Sequence, residues 1–287
     1  MTRTTRRILF FIALLFFFGA SYIVLLYAQG YEYDFDESRF IRTGAIAVKA
    51  NTQAHVLLDG TVVETTSFLT NTASLDTIAP GKHTISVQKE GYSVWQKNVV
   101  VEEGFVQDFG RVLILPQAGS DKDEVKREIR ELLYPPTPVP TPTASAVASV
   151  SPTPKKTPLP AKTPAVSTTP SPTPDQSGPY FMNGDALYVQ APAGPTRVAT
   201  GVSLVVPSQD GRKIAWMTDN NQIWVYWLSD TEYQPYRKAG DIVLLVRSAY
   251  PVKNLTWFRG NDHIAFDAGG LKVAEIDNRD KVNIINF

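Results

Sequence analysis

The pattern of apolar and polar positions changes character four times along the chain. Residues 8–27 run without a charge, and fourteen of them are Leu, Ile, Phe or Val. At ~1.5 Å per residue a helix of that length spans roughly 30 Å, the hydrocarbon thickness of a bilayer. Its apolar side chains supply roughly −4 to −8 kcal/mol of insertion free energy. The run therefore predicts a transmembrane helix inside an anchor segment, 1–30. Past it the period drops to two. His83, Ile85 and Val87 share one strand face and Thr84, Ser86 and Gln88 the other, while Trp95, Val99 and Val101 follow in the same rhythm. Asp59-Gly60 between Leu58 and Thr61 marks a hairpin, and Pro80-Gly81 a second turn.

Residues 120–134 form the one stretch with a soluble helical period. Val125, Ile129, Leu132 and Leu133 make a single stripe, which is expected to dock on the β domain, a dimerising helix being the alternative. Ser120 with Asp123 reads as a capping pair, and Pro135-Pro136 stops the helix. Residues 135–179 hold fourteen of the 21 prolines, with Pro-Thr-Pro recurring, and predict a stiff linker that spaces the C-terminal module from the membrane. Residues 180–287 return to β, with strand candidates at 186–190, 202–206, 213–217, 222–228, 242–247, 254–258, 263–267, 271–276 and 282–286.

Two groups of residues carry resemblances. Gly44-Ala-Ile-Ala-Val, Ala54-His-Val-Leu-Leu-Asp-Gly60, Ile78-Ala-Pro-Gly-Lys-His-Thr-Ile-Ser-Val87 and Lys89-Glu-Gly-Tyr-Ser-Val-Trp95 together resemble the PEGA domain, a small β-sandwich of bacterial surface and envelope proteins. The match covers 43–116; the stretch from Glu64 to Ala73 is longer than the family pattern and lacks its proline. The resemblance implies no catalytic residues. Ser208-Gln-Asp-Gly-Arg-Lys-Ile-Ala-Trp216 and Phe258-Arg-Gly-Asn-Asp-His-Ile-Ala-Phe266 repeat one pattern 50 residues apart. They are similar to the WD40-like repeats of TolB-type β-propellers. The length of 180–287 allows two to two and a half blades, where a closed propeller takes at least about four. The expected fold is thus mainly β: an N-terminal transmembrane helix, a PEGA-type β-sandwich, a Pro-rich linker and an incomplete propeller-like module, with self-association expected at exposed strand edges.

Charge and composition narrow the chemistry. Arg3, Arg6 and Arg7 precede the apolar run and Glu32, Asp34, Asp36 and Glu37 follow it, which predicts a cytoplasmic N-terminus and an extracytoplasmic bulk. A cleaved signal peptide competes, but it has a shorter apolar core and a small-x-small exit, whereas Leu26 stands two positions before Ala28. Tyr31, Tyr33 and Phe35 alternate with acids, as aromatics at headgroup level or as a cation or interface site. Net charge is zero, which argues against nucleic acid as a partner. Without cysteine the chain has neither disulfides nor thiolate chemistry, and His55, His83 and His263 stand singly, away from metal-ligand spacing. His83 is expected to reach a turn carbonyl.

No Gly-x-Ser-x-Gly, Walker or His-Glu-x-x-His motif is present, so no catalytic residue, metal ligand or cofactor is assigned. Asp262-His263 near Asp267 reads as a polar turn rather than a dyad, and Asn254-Leu-Thr256 matches a glycosylation sequon inside a strand. Trp224 and Tyr226 share a strand face and are the ligand-binding candidates, as a sugar or peptide platform or as an inter-sheet surface. Tyr92 and Trp95 are expected in the core or its rim. The chain reads as a non-enzymatic, single-pass membrane protein of the cell envelope. Its expected partners are membrane lipid through residues 8–27, envelope glycan or envelope protein, and a second copy of itself. A structural tether without a small ligand is the alternative, and an extracytoplasmic enzyme the third reading.

Overall fold

The computed structural model describes residues 2–34, 38–136 and 178–287. Residues 35–37 of the juxtamembrane stretch and 137–177 of the Pro-rich linker lie outside them. The described chain is mainly β, with two helices and no closed propeller. It divides into two compact units, Met1–Leu133 with Gly201–Phe287, and Tyr134–Thr200.

Helix α1 (Arg3–Ala28) has 26 residues, among them an 18-residue stretch with a mean hydropathy of 2.7, and none of its residues is buried. It is long and apolar enough to cross a membrane. Thr2 caps it by accepting the Thr5 amide, and Gly30, at φ +80°, turns the chain out of it. A hairpin follows, β1 (Tyr31–Asp34) on β2 (Arg39–Arg42), with Tyr33 edge-on to Phe40 at 5.2 Å.

Seven strands then form two sheets: β3 (Gly44–Ala50), β4 (His55–Leu58), β5 (Thr61–Thr65), β6 (Thr72–Ile78), β7 (Gly81–Gln88), β8 (Trp95–Val101) and β9 (Val106–Val112). The sheet orders are β6-β3-β9, in which β3 and β9 run parallel, and β5-β4-β7-β8. Their inward residues, among them Ile46, Val48, Val56, Leu75, Ile85, Val87, Trp95 and Phe109, make one core. The β4–β5 turn has Asp59 at φ 51° and Gly60 at 84°, the two positive angles a tight hairpin requires. Asp59 accepts the Thr84 amide and pairs with His83, whose other ring nitrogen donates to Ala79 O (2.9 Å). Those bonds hold the Asp59 carboxyl below the usual carboxylate range. Gly44 is needed for space: a Cβ there falls 2.5 Å from Val101 Cγ1 and 2.6 Å from Glu102 O. Gly44→Ala is expected to cost about 1–3 kcal/mol of unfolding free energy in urea titrations, through overpacking at the start of β3.

Helix α2 (Gly119–Leu133) buries Val125, Ile129 and Leu133, while Leu132, predicted in the stripe, remains 45% exposed. Ser120 lies inside the first turn and its hydroxyl reaches Asp121, so the predicted Ser120–Asp123 capping pair does not form. The stripe packs on Leu113 and Leu115 past β9 and on Phe258, Ala265, Leu271, Val273 and Ile285 of the C-terminal region. Its dock is therefore mainly the last sheet, not the sandwich alone. The Asn254 side-chain amide of the sequon caps the helix by donating to Leu133 O.

Gly201–Phe287 contributes two four-stranded antiparallel meanders in chain order. The first is β13 (Val202–Pro207), β14 (Lys213–Thr218), β15 (Gln222–Trp227) and β16 (Ile242–Arg247). The second is β17 (Asn254–Trp257), β18 (His263–Asp267), β19 (Leu271–Glu275) and β20 (Ile284–Asn286). The 50-residue repeat is visible in their backbones. The Ser208 amide donates to Lys213 O as the Phe258 amide does to His263 O, and Ile214 and Ile264 are both fully buried. Ala215, Ile223, Val225 and Trp227 meet Leu255, Trp257, Ile264 and Phe266 in one core. In the other unit, β10 (Tyr180–Asn183), β11 (Ala186–Ala191) and β12 (Gly194–Ala199) form a three-stranded meander in which Phe181 stacks on Tyr188. The predicted 180–287 module is thus divided at Gly201, and its larger part belongs to the unit that contains the sandwich. This corrects the expectation that a stiff linker holds all of it at a distance. Proline content sets how far a connecting segment reaches, not where the next fold docks.

Candidate functional site

Strand β8 alternates buried and exposed, so Trp95, Lys97, Val99 and Val101 all face inward. Lys97 is fully buried, which demands a partner. Its ammonium lies 2.5 Å from Glu275 Oε1 and donates to Asp277 O and Lys281 O at 2.7 and 2.9 Å. Trp95 Nε1 donates to the other Glu275 oxygen at 2.7 Å. The Asn283 side chain donates to Glu275 Oε1 and to Gln96 O, and Asp280 accepts the Asn98 amide at 2.8 Å. The last residue of β19 and the chain between β19 and β20 therefore grip the first four residues of β8.

A second row lies on β9. Arg111 pairs with Asp262 at 2.6 Å and its guanidinium sits 3.3 Å from the Tyr233 ring centroid. The Tyr233 hydroxyl donates to Asp262 Oδ1 and accepts from Lys213 Nζ, at 3.0 and 2.9 Å. Arg279 lies over Phe109, pairs with Asp277 at 2.6 Å and donates to Asp108 O and Gln234. Burial pushes the Asp277 carboxyl up, but the Arg279 hydrogen bonds and charge outweigh it and hold the group below the ordinary carboxylate value.

Between these rows Trp95, Phe109, Trp227, Tyr233, Glu275 and Arg279 enclose a cavity of about 30 Å³, room for about one water. A neighbouring cavity of about 40 Å³ is walled by Leu113, His263, Glu275 and Asn283. His263 faces Glu275 across the β18–β19 ladder. Burial lowers its pKa to about 4, with the Arg111 charge adding to the fall and Asp262 opposing it, so the ring is neutral at pH 7.

The arrangement is a clamp. Its charges are matched by each other and its cavities are too small for an organic substrate. No known family model, no characterised protein and no solved structure matches the chain. The reading therefore rests on the geometry itself.

The sequence candidates lie elsewhere. Trp224 and Tyr226 are half-buried on one face of β15, while Ile223, Val225 and Trp227 are buried on the other. The Trp224 ring stacks on Trp216, with centroids 6.2 Å apart and planes 7° from parallel, and its indole N–H donates to Gln222. Asp262 is not a free turn residue but the anion shared by Arg111, Tyr233 and Lys213. Among the described residues no group of three His, Asp or Glu side chains is placed to hold a metal ion. Lys97, Arg111, Lys213, Tyr233, Glu275 and Arg279 were missed from sequence. Lys97 had a signal: it is the one charged residue on the apolar face that Trp95, Val99 and Val101 define.

Proposed function

We propose that the protein is a non-enzymatic, single-pass envelope protein that carries β modules outside the membrane and binds another protein there. The observation that carries the reading is an apolar helix with no residue buried, continuous with a β unit whose polar groups are spent on holding itself together. Arg3, Arg6 and Arg7 in the first turns of the helix and acids after it support a cytoplasmic N-terminus and an extracytoplasmic bulk. The PEGA-type reading of 43–116 draws support from its seven strands in two sheets, and the propeller-like reading from the two four-stranded meanders.

Protein is favoured over glycan by the free edge of β5. All five of its residues are exposed, Val62 and Val63 at 56% and 48%, and the adjoining turn exposes Phe68 and Leu69 at 78% and 84%. An exposed apolar edge strand is a template for an added strand. The same edge suits a second copy of the chain, which would make the protein a tether.

Three measurements test this. Protease added to intact cells should remove a tag at Phe287; a shielded tag inverts the topology. Val63→Lys should weaken capture of envelope proteins by the full chain about tenfold, while leaving its fold intact. Trp224→Ala should leave that capture unchanged. The opposite result, with saturable cell-wall binding lost in Trp224→Ala, assigns a glycan function to the β15 face instead.

A further inference from the structure

The apolar helix and the sandwich are joined without slack. Gly30 O, two residues past α1, accepts hydrogen bonds from the Thr43 amide and hydroxyl at 2.9 and 3.0 Å, and Thr43 is buried. Thr43 O in turn accepts the Gly104 amide at 3.0 Å, and Phe105 O accepts the Ala45 amide at 3.0 Å. The Arg42 guanidinium lies against Gly104, where a Cβ would come within 2.5 Å of its carbon. The loop carrying Phe105 is thus two hydrogen bonds from the end of the membrane-length helix.

That loop is apolar at its tip. Phe105 is 62% exposed and the adjacent Val106 52%. The far end of the sandwich is set by the β3–β6 register, Gly44 opposite Ile78 and Lys49 opposite Thr72. Phe68 and Leu69 therefore project about 20 Å farther along the strands, at ~3.3 Å per residue. Two exposed apolar tips lie at opposite ends, and only one adjoins the helix.

We propose that Phe105 and Val106 enter the headgroup layer of the membrane that α1 crosses, so that the sandwich stands on the lipid surface as well as on its helix. Aromatic side chains favour that layer, and Arg42 beside the loop supplies a cation for lipid phosphate. Glu102 and Glu103, just before Phe105, stay in water and limit the depth. The two contacts fix the tilt of the sandwich and hold the β5 edge away from the bilayer.

This inference rests on the anchor reading, and the test separates the two. The chain has no cysteine, so single labels are unambiguous. Phe16→Cys, Phe105→Cys and Phe68→Cys variants of the full chain are spin-labelled in phosphatidylcholine vesicles, and collision with oxygen and with a water-soluble nickel chelate is measured. The label at 16 should report hydrocarbon and the label at 68 water. The label at 105 should lie between them, with nickel access at least about twofold lower than at 68. Val106→Cys repeats the measurement should the Phe105 variant fold poorly. Water-like access at both 105 and 106 with hydrocarbon at 16 overturns the inference and leaves the anchor standing. Water at 16 removes both.

Discussion

Glu275→Ala should lower the unfolding free energy by about 3–5 kcal/mol, the usual cost of stranding one member of a buried ion pair. Glu275 lies at the centre of the clamp, and its loss leaves Lys97 fully buried with only two backbone carbonyls to face. It also orphans the Trp95 indole N–H and two donors of Asn283. Urea denaturation of the full chain in detergent, read by tryptophan fluorescence, measures the shift. Lys97→Met placed in the Glu275→Leu background should recover part of the loss, because an apolar pair no longer carries an unmatched charge. The coupling in that double-mutant cycle should be about 0.5–3 kcal/mol. A Glu275→Ala shift below about 1 kcal/mol, within the scatter of surface substitutions and single hydrogen bonds, would show that the clamp does not hold the unit together.

The clamp also explains which parts of the architecture were legible in the chain. Strand positions were, because alternation and turn chemistry are local: Asp59-Gly60 needs two positive φ angles, and β14 and β18 both start where the repeated Ile-Ala-aromatic pattern places them. Strand β12 was missed, since Gly194-Pro195-Thr196-Arg197 carries no alternating apolar face, and β10 was missed because its four residues are too few to show a period. The docking of the last meander on β8 was not legible. It is specified by Glu275, Asp277, Asp280 and Asn283 finding partners 180 residues or so earlier, a pairing with no local period. A lysine on an apolar strand face announces that a partner exists, but not where in the chain it lies. The same limit hid Arg111 and Tyr233, whose shared partner Asp262 is brought between them only by the fold.

The second large effect is a loss of stability in mild acid that traces to one ring. His263 is buried in the wall shared with Glu275 and Asn283, and burial lowers its pKa from 6.5 to about 4. In the unfolded chain the ring takes a proton near pH 6.5; in the folded chain it does so only near 4. The unfolded state therefore binds more protons throughout that window. The His263 contribution is complete above pH 6.5, falls as pH drops, and is exhausted below about 4. At ~1.4 kcal/mol per unit the fall amounts to about 3 kcal/mol. Asp262 and Arg111 face the ring with opposite signs, and the exchange of Arg111 for a neutral residue should narrow the window from its acid side. The carboxyls of Asp59, Asp210 and Asp277 are all held below the usual carboxylate value, so their contributions begin to fall near about pH 5 and are lost mainly below it, overlapping only the acid end of the His263 window. Urea midpoints taken from pH 7 to pH 4 should fall steadily in the parent chain, and the slope should flatten in His263→Leu, which fills a similar volume without a titrating group. An unchanged slope in that variant would place the acid sensitivity elsewhere in the clamp.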